Sequence, residues 1–203
     1  MQNANRKVQN VGADDSAVRK NKRGVILMIF NKIKKSDKAK QETPMGREQF
    51  DNKLNELLSI AESMIPDEIL PDLPFMESAP DVHDWYDFEH ELWGKGEEIR
   101  QYILRGKKRP NTKQVERIVS ICMDKRAKRG RESFVMLLGK KCYVNYAEKI
   151  ATLLNDSDVD GHAIDTLYKM GADGYISQIK PFINHNRTWI RNKAKKYLEK
   201  YGD

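Results

Sequence analysis

The chain has 203 residues, of which 39% are hydrophobic and 33% charged, a balance too apolar for a disordered chain and sufficient for a self-supporting core. Its two cysteines, Cys122 and Cys142, exclude a disulfide framework and make a reducing, cytoplasmic setting the expectation. The net charge of +7 conceals a segregated pattern, with +8 over residues 1–40, −8 over 41–110 and +7 over 111–203, so charge can attract partners or draw the middle and C-terminal parts together.

Residues 1–43 read as a basic tail, and residues 1–23 have the polar, aperiodic composition of disorder. The apolar run 25–30 is far short of the roughly 20 residues that span a bilayer. Asn31-Lys32 follow it at once without a small-residue cleavage site, so neither a membrane span nor export is expected. Met28 opens MIFNKIKKSDKAK, in form like a bacterial N-terminus, and Lys22-Arg23-Gly24 can be encoded by a purine-rich ribosome-binding sequence. A bacterial source and a start at Met28, with 1–27 untranslated, are therefore expectations that intact-mass measurement tests.

Residues 46–65 predict an amphipathic helix, because Phe50, Leu54, Leu57, Leu58, Ala61, Met64 and Ile65 recur at helical spacing and Pro66 ends the run. Prolines 66, 71, 74 and 80 rule out a regular helix in the next stretch. Its Leu70, Leu73, Phe75 and Met76 predict an extended connection packed on the core. Asp81 is the predicted cap of a second helix, with Asp84 in its acidic first turn. Trp85, Phe88, Leu92, Ile99, Tyr102 and Ile103 form its buried face, and Gly94 and Gly96 predict a break or bend. After a basic turn at 106–110, Asn111 or Thr112 caps a helix through Met123 whose inner face is Val115, Ile118, Val119, Ile121 and Cys122. Further helices are predicted over 131–138, 144–154, 158–170 (stopped by Gly171), 175–183 and 187–201. No alternating strand is predicted.

The C-terminal half repeats itself. IVSICMD at 118–124 recurs as IATLLND at 150–156, 32 positions on, and Leu138-Gly139 recurs as Met170-Gly171 and Tyr143 as Tyr175. Phe182-Ile183-Asn184 echoes Leu153-Leu154-Asn155 at shorter spacing. After the turns at 155–158 and 184–187, Val159, Ala163 and Leu167, then Ile190, Ala194 and Leu198, fall at four-residue steps. Ile190-Arg191-Asn192-Lys193-Ala194 through Leu198 resembles the second helix of HEAT repeats, Val-Arg-x-x-Ala-x-x-x-Leu; Val159-Asp160 departs from it, with Asp where that family has Arg. The resemblance covers residues 111–201 and is weakest over 124–139. It implies an all-α protein, a short α-solenoid of about three helix-turn-helix repeats (111–203) with an N-terminal helical extension (44–110), and second helices lining a concave face. Such families mostly bind proteins, some bind nucleic acid, and the motif carries no catalytic residue.

Several patterns are set against plainer readings. Asp156-Ser-Asp158-Val-Asp160-Gly161 matches half of a calcium loop, but position twelve is Leu167 where a bidentate Glu belongs, so a turn and helix start is expected. His83 and His90, with Asp87 and Glu91, are spaced for one helix face, and an acidic solvated face is the favoured reading over a metal site. No metal and no cofactor is expected, nor is catalysis. Lys125, Arg126, Lys128, Arg129 and Arg131, and then Arg187, Arg191 and Lys195, are candidates for nucleic-acid contact, although no aromatic platform is interleaved among them. Asp84, Asp87, Glu91 and Trp189 are candidates for protein contact, Trp189 being expected either to pack on the preceding unit or to serve as an anchor. The expected function is non-enzymatic binding of another protein, as an adaptor or an immunity-type protein, with nucleic-acid binding as the alternative.

Overall fold

Spacing of apolar residues at three and four positions produces helices wherever a face can be buried. In the computed structural model, which describes residues 46–77 and 79–202, the fold is mostly helical. The expected basic tail and the start at Met28 lie outside the described residues. Helix α1 spans Arg47–Ser63 and buries Phe50, Leu54, Leu57, Leu58 and Ala61, the stripe read from the sequence. Helix α2 spans Asp87–Gly106 and α3 spans Thr112–Met123. Helix α4 is Glu132–Leu137, α5 is Ala147–Thr152, α6 is Asp160–Met170, α7 is Ile176–Ile179 and α8 is Thr188–Tyr201. Tighter 3₁₀ segments at Lys125–Arg131, Lys141–Tyr146, Leu153–Asn155 and Lys180–Asn184 replace parts of the expected helices.

One expectation fails at the proline-rich connection. Strand β1, Phe75–Met76, pairs antiparallel with β2, Ala79–His83, in register Phe75 to His83 and Met76 to Ala79. Alternation is too short to show in so small a hairpin, and Pro80 is tolerated because both strands are edges. The His83 ring stacks on Phe75 at 4.1 Å and its Nδ1 lies 2.6 Å from the Leu73 carbonyl. Phe75 remains 56% exposed, so the connection buries less than predicted. Asp81 belongs to β2 and does not cap a helix. Instead Glu89, at the third position of α2, reaches back so that the Tyr86 N–H donates to Oε2 at 2.8 Å.

Helix α2 runs unbroken through Gly94 and Gly96, contrary to the expected bend. Gly96 has a packing role, because a Cβ there would overlap the Ser133 side chain and press on Phe134 of α4. Gly94 faces open space. Asn111 caps α3 as expected: Gln114 N–H donates to Asn111 Oδ1 at 3.0 Å, and Asn111 N–H donates to Gln114 Oε1 at 2.9 Å. Gln114 Nε2 also donates to the Asp51 carbonyl of α1, at 3.1 Å. Gly171 ends α6 in the left-handed region at φ 79°, as expected.

The core is continuous across residue 110. Helix α1 packs on α2 and α3, α2 on α4, α4 on α6, α5 on α6, and α6 on α8. Ala163 and Ala194 are fully buried, Ile164 and Leu167 beside the first and Ile190 beside the second. Small residues at these positions let α6 and α8 approach closely.

Candidate functional site

The basic run 125–131 was expected on a helix face, and the chain does otherwise. Asp124 caps the segment through Oδ1, which accepts from the Arg126 N–H at 3.0 Å. The backbone then breaks at Lys128, at φ 43° and ψ −134°, a conformation that favours glycine. Gly130 lets the segment lie against α2, where a Cβ would stand 3.0 Å from the Glu89 carbonyl. Glu89 is buried and its Oε1 accepts from the Arg129 N–H at 2.9 Å. Burial pushes the Glu89 carboxyl above its ordinary range, with the two backbone donors opposing that shift.

This geometry turns the basic side chains onto acids of the same fold. Arg131 is 1% exposed and donates Nε to the Lys128 carbonyl at 2.8 Å, Nη1 to the Cys122 carbonyl at 3.3 Å and Nη2 to Asp156 Oδ2 at 2.6 Å. Lys128 donates to Asp72 at 2.5 Å, a hydrogen bond that holds the Asp72 carboxyl below the usual range. Arg126 pairs with Asp124 at 2.6 Å. Arg129 lies over the Trp85 ring at 4.4 Å and donates Nε to Glu132 at 3.2 Å. Of the predicted run, Lys125 alone is without a partner among the described residues. Arg131 is buried and Lys128 nearly so, which places both beyond reach of a phosphate backbone.

The half calcium loop is a turn. Asp156 takes the Arg131 pair, Asp158 N–H donates to Asp156 Oδ1 at 3.2 Å, and Asp160 Oδ1 accepts from the Gly161 N–H at the start of α6. Burial, reinforced by the Asp156 charge, raises the Asp158 carboxyl. His83 and His90 are not brought together, since His90 stacks on Trp85 at 4.8 Å. Asp84 is exposed and accepts from the Trp85 N–H at 2.8 Å. Asp87 and Glu91 are exposed near the start of α2, where the helix dipole favours acids. Arg191 closes the turn before α8 by donating to the His185 and Asn186 carbonyls at 2.6 and 2.7 Å, and Lys195 is exposed.

What the fold assembles is a shallow groove of about 350 Å³ lined by Met76, Val82, Arg129, Glu132, His162, Arg187 and Trp189. The hairpin supplies Met76 and Val82, the 3₁₀ segment Lys125–Arg131 supplies Arg129, and α4, α6 and the start of α8 supply the rest. Glu132 is 8% exposed at its side chain, holding Arg129 through Oε1 and standing 3.4 Å from His162 Nε2 through Oε2. Trp189 lies on Gly161, where any Cβ would collide with the indole, and its ring is 5.1 Å from that of His162. It packs on α6, one of its two expected placements, and keeps 39% exposure. The Arg187 guanidinium has no hydrogen-bond or ion-pair partner among the described residues.

No protein-family model, no curated protein and no solved structure matches the chain. The groove thus rests on its own chemistry. Arg129, Arg187 and Trp189 were singled out in the sequence, though as members of different surfaces. Met76, Val82, Glu132 and His162 were not, because they come from segments whose juxtaposition no spacing rule encodes.

Proposed function

We propose that the chain is a non-enzymatic binding protein that receives, in this groove, a segment of another protein carrying a carboxylate beside an apolar side chain. The observation that carries the reading is the contrast between Arg187 and the other basic groups around it. Arg126, Lys128, Arg129 and Arg131 are ion-paired with acids of this chain, whereas the Arg187 guanidinium, beside the partly exposed Trp189, has no hydrogen-bond or ion-pair partner among the described residues and feels Asp160 only at longer range. A guanidinium next to an exposed indole offers charge and apolar area together, the combination that dominates protein interfaces. The Met76 and Val82 side chains add apolar floor. The groove volume suits one or two side chains of a docked segment.

A helical-repeat architecture of HEAT-like type over 111–201 is part of the proposal. The turns at 155–158 and 184–187 lead into α6 and α8, whose buried alanines support close stacking of successive pairs. Such stacks suit binding because neighbouring units expose a continuous surface. Over 124–139 the pattern gives way to the 3₁₀ break and the short α4, which contribute Arg129 and Glu132 to the groove.

The test is affinity capture with the wild-type chain and two variants, Arg187→Glu and Trp189→Ala, as baits. A partner protein retained by the wild type and lost from both variants supports the reading. Identical capture by all three removes the groove as the binding surface.

A further inference from the structure

The far end of α8 carries a second surface, and its chemistry differs from the groove's. Trp189 and Tyr201 are twelve positions apart, which separates the two ends by about 18 Å along the helix axis at 1.5 Å per residue. Lys193, Lys196 and Lys200 recur at spacings of three and four, so one side of α8 is a row of ammonium groups. Lys193 and Lys169 of α6 both donate to Asp165 at 2.6 Å, so two cations share a single buried carboxylate. Burial would push that carboxyl up, but the two lysines outweigh it and hold it below the usual range.

The other two lysines of the row rest on aromatic rings. Lys196 Nζ is 4.7 Å and Lys200 Nζ 4.6 Å from the centroid of Tyr168, and Lys200 is also 4.7 Å from that of Tyr201. Tyr168 and Tyr201 are half-buried and meet at 6.2 Å, edge to face. Tyr197 beneath them is buried and donates its hydroxyl to the Ala172 carbonyl at 2.5 Å, so it fixes the platform from below. Neither Lys196 nor Lys200 forms an ion pair among the described residues. The sequence shows the lysines beside Tyr197 and Tyr201 but not beside Tyr168, which comes from α6.

We infer that this face binds single-stranded nucleic acid, with a base stacked on Tyr168 and adjacent phosphates held by Lys196, Lys200 and Lys195. Ammonium groups resting on the accessible part of the half-buried Tyr168 ring are held weakly and can swing to a phosphate while a base takes their place on the ring. Base stacking on an aromatic ring is the stronger of the two contacts, and the released lysines gain a phosphate each. A duplex offers no open base face, so the tyrosine favours single strands. This surface is separate from the expected basic run at 125–131, whose charges apart from Lys125 are paired within the fold.

The experiment is fluorescence polarisation with labelled twelve-nucleotide oligo-U and oligo-dT and a twelve-pair duplex, from 50 mM salt upward. Both single strands should bind, more tightly than the duplex, with affinity falling steeply as salt rises. Lys196→Ala combined with Lys200→Ala should flatten the log–log salt slope by about 1.4, from roughly 0.7 per phosphate contact in single strands. Tyr168→Ala should weaken binding about tenfold, and Tyr168→Phe should bind like the wild type. Arg187→Glu tests the groove separately and should weaken single-strand binding far less than the paired lysine change does. No binding of either single strand at 50 mM salt overturns the inference, as does duplex binding of equal strength. An unchanged salt slope in the double lysine variant overturns it too, and that variant alters only exposed side chains. Binding to anionic lipid vesicles without binding to any oligonucleotide would equally overturn it.

Discussion

Replacing Arg131 by Met should destabilise the fold more than any single change on its surface. The side chain is 1% exposed and its three donor atoms reach Lys128 O at 2.8 Å, Cys122 O at 3.3 Å and Asp156 Oδ2 at 2.6 Å. Methionine fills much of the volume but leaves two carbonyls and a largely buried carboxylate without their donor. Each lost partner costs on the order of 1–3 kcal/mol, and removal of one member of a buried ion pair typically costs about 3–5 kcal/mol in all. The upper figures are moderated here because Asp156 retains 13% exposure and can take up water. Against a typical total of about 5–15 kcal/mol, such a loss is large. With a urea dependence of about 1–3 kcal/mol per molar, the unfolding midpoint should drop by about 1–3 M, read by circular dichroism. Arg131→Lys keeps the charge without the planar fork and should fall between the two. Combining Arg131→Met with Asp156→Asn should lose less than the sum of the separate changes. A loss below about 1 kcal/mol for Arg131→Met would refute the view that this residue ties the end of α3 to the turn before α6.

Two glycines on one helix should respond with opposite sign. Gly94→Ala meets open space and should stabilise by about 0.5–1 kcal/mol, raising the melting temperature by about 2 °C or more. Gly96→Ala drives a methyl group into Ser133 and Phe134 and should destabilise by about 1–3 kcal/mol despite the same gain in helix propensity. Asp158→Asn should stabilise at pH 7, because burial and the Asp156 charge raise the folded carboxyl and make its ionised form costly. The sign follows from linkage: a raised carboxyl stabilises the fold below its unfolded value, about 3.9, and loses that contribution as pH rises through the folded value. The advantage of the variant should therefore vanish below about pH 3.9 and reach full size by pH 7, as followed by chemical denaturation across pH. Native protein should expose one rapidly reacting thiol, Cys142, while Cys122 reacts only after denaturation. Cys122 is fully buried, and desolvation pushes its thiol well above the ordinary range. A second fast thiol in the native state would contradict that.

Residue order by itself determined the helices and much of the core. The stripes on α1 and α3, the Asn111 cap with Gln114 and the stop at Gly171 follow from local rules of spacing, capping and left-handed backbone. The alanines at 163 and 194 were legible for the same reason, since a small residue at a fixed helical step signals close approach. Tertiary structure decided the rest. A run of cations reads as a binding stripe until acids distant in the chain, Asp72 and Asp156 among them, claim it. Gly96 reads as a bend until Ser133 and Phe134 arrive against it. Arg187 and Tyr168 acquire meaning only beside His162 and Lys200, because availability to a partner depends on which neighbours have already been satisfied, and local sequence does not record those neighbours.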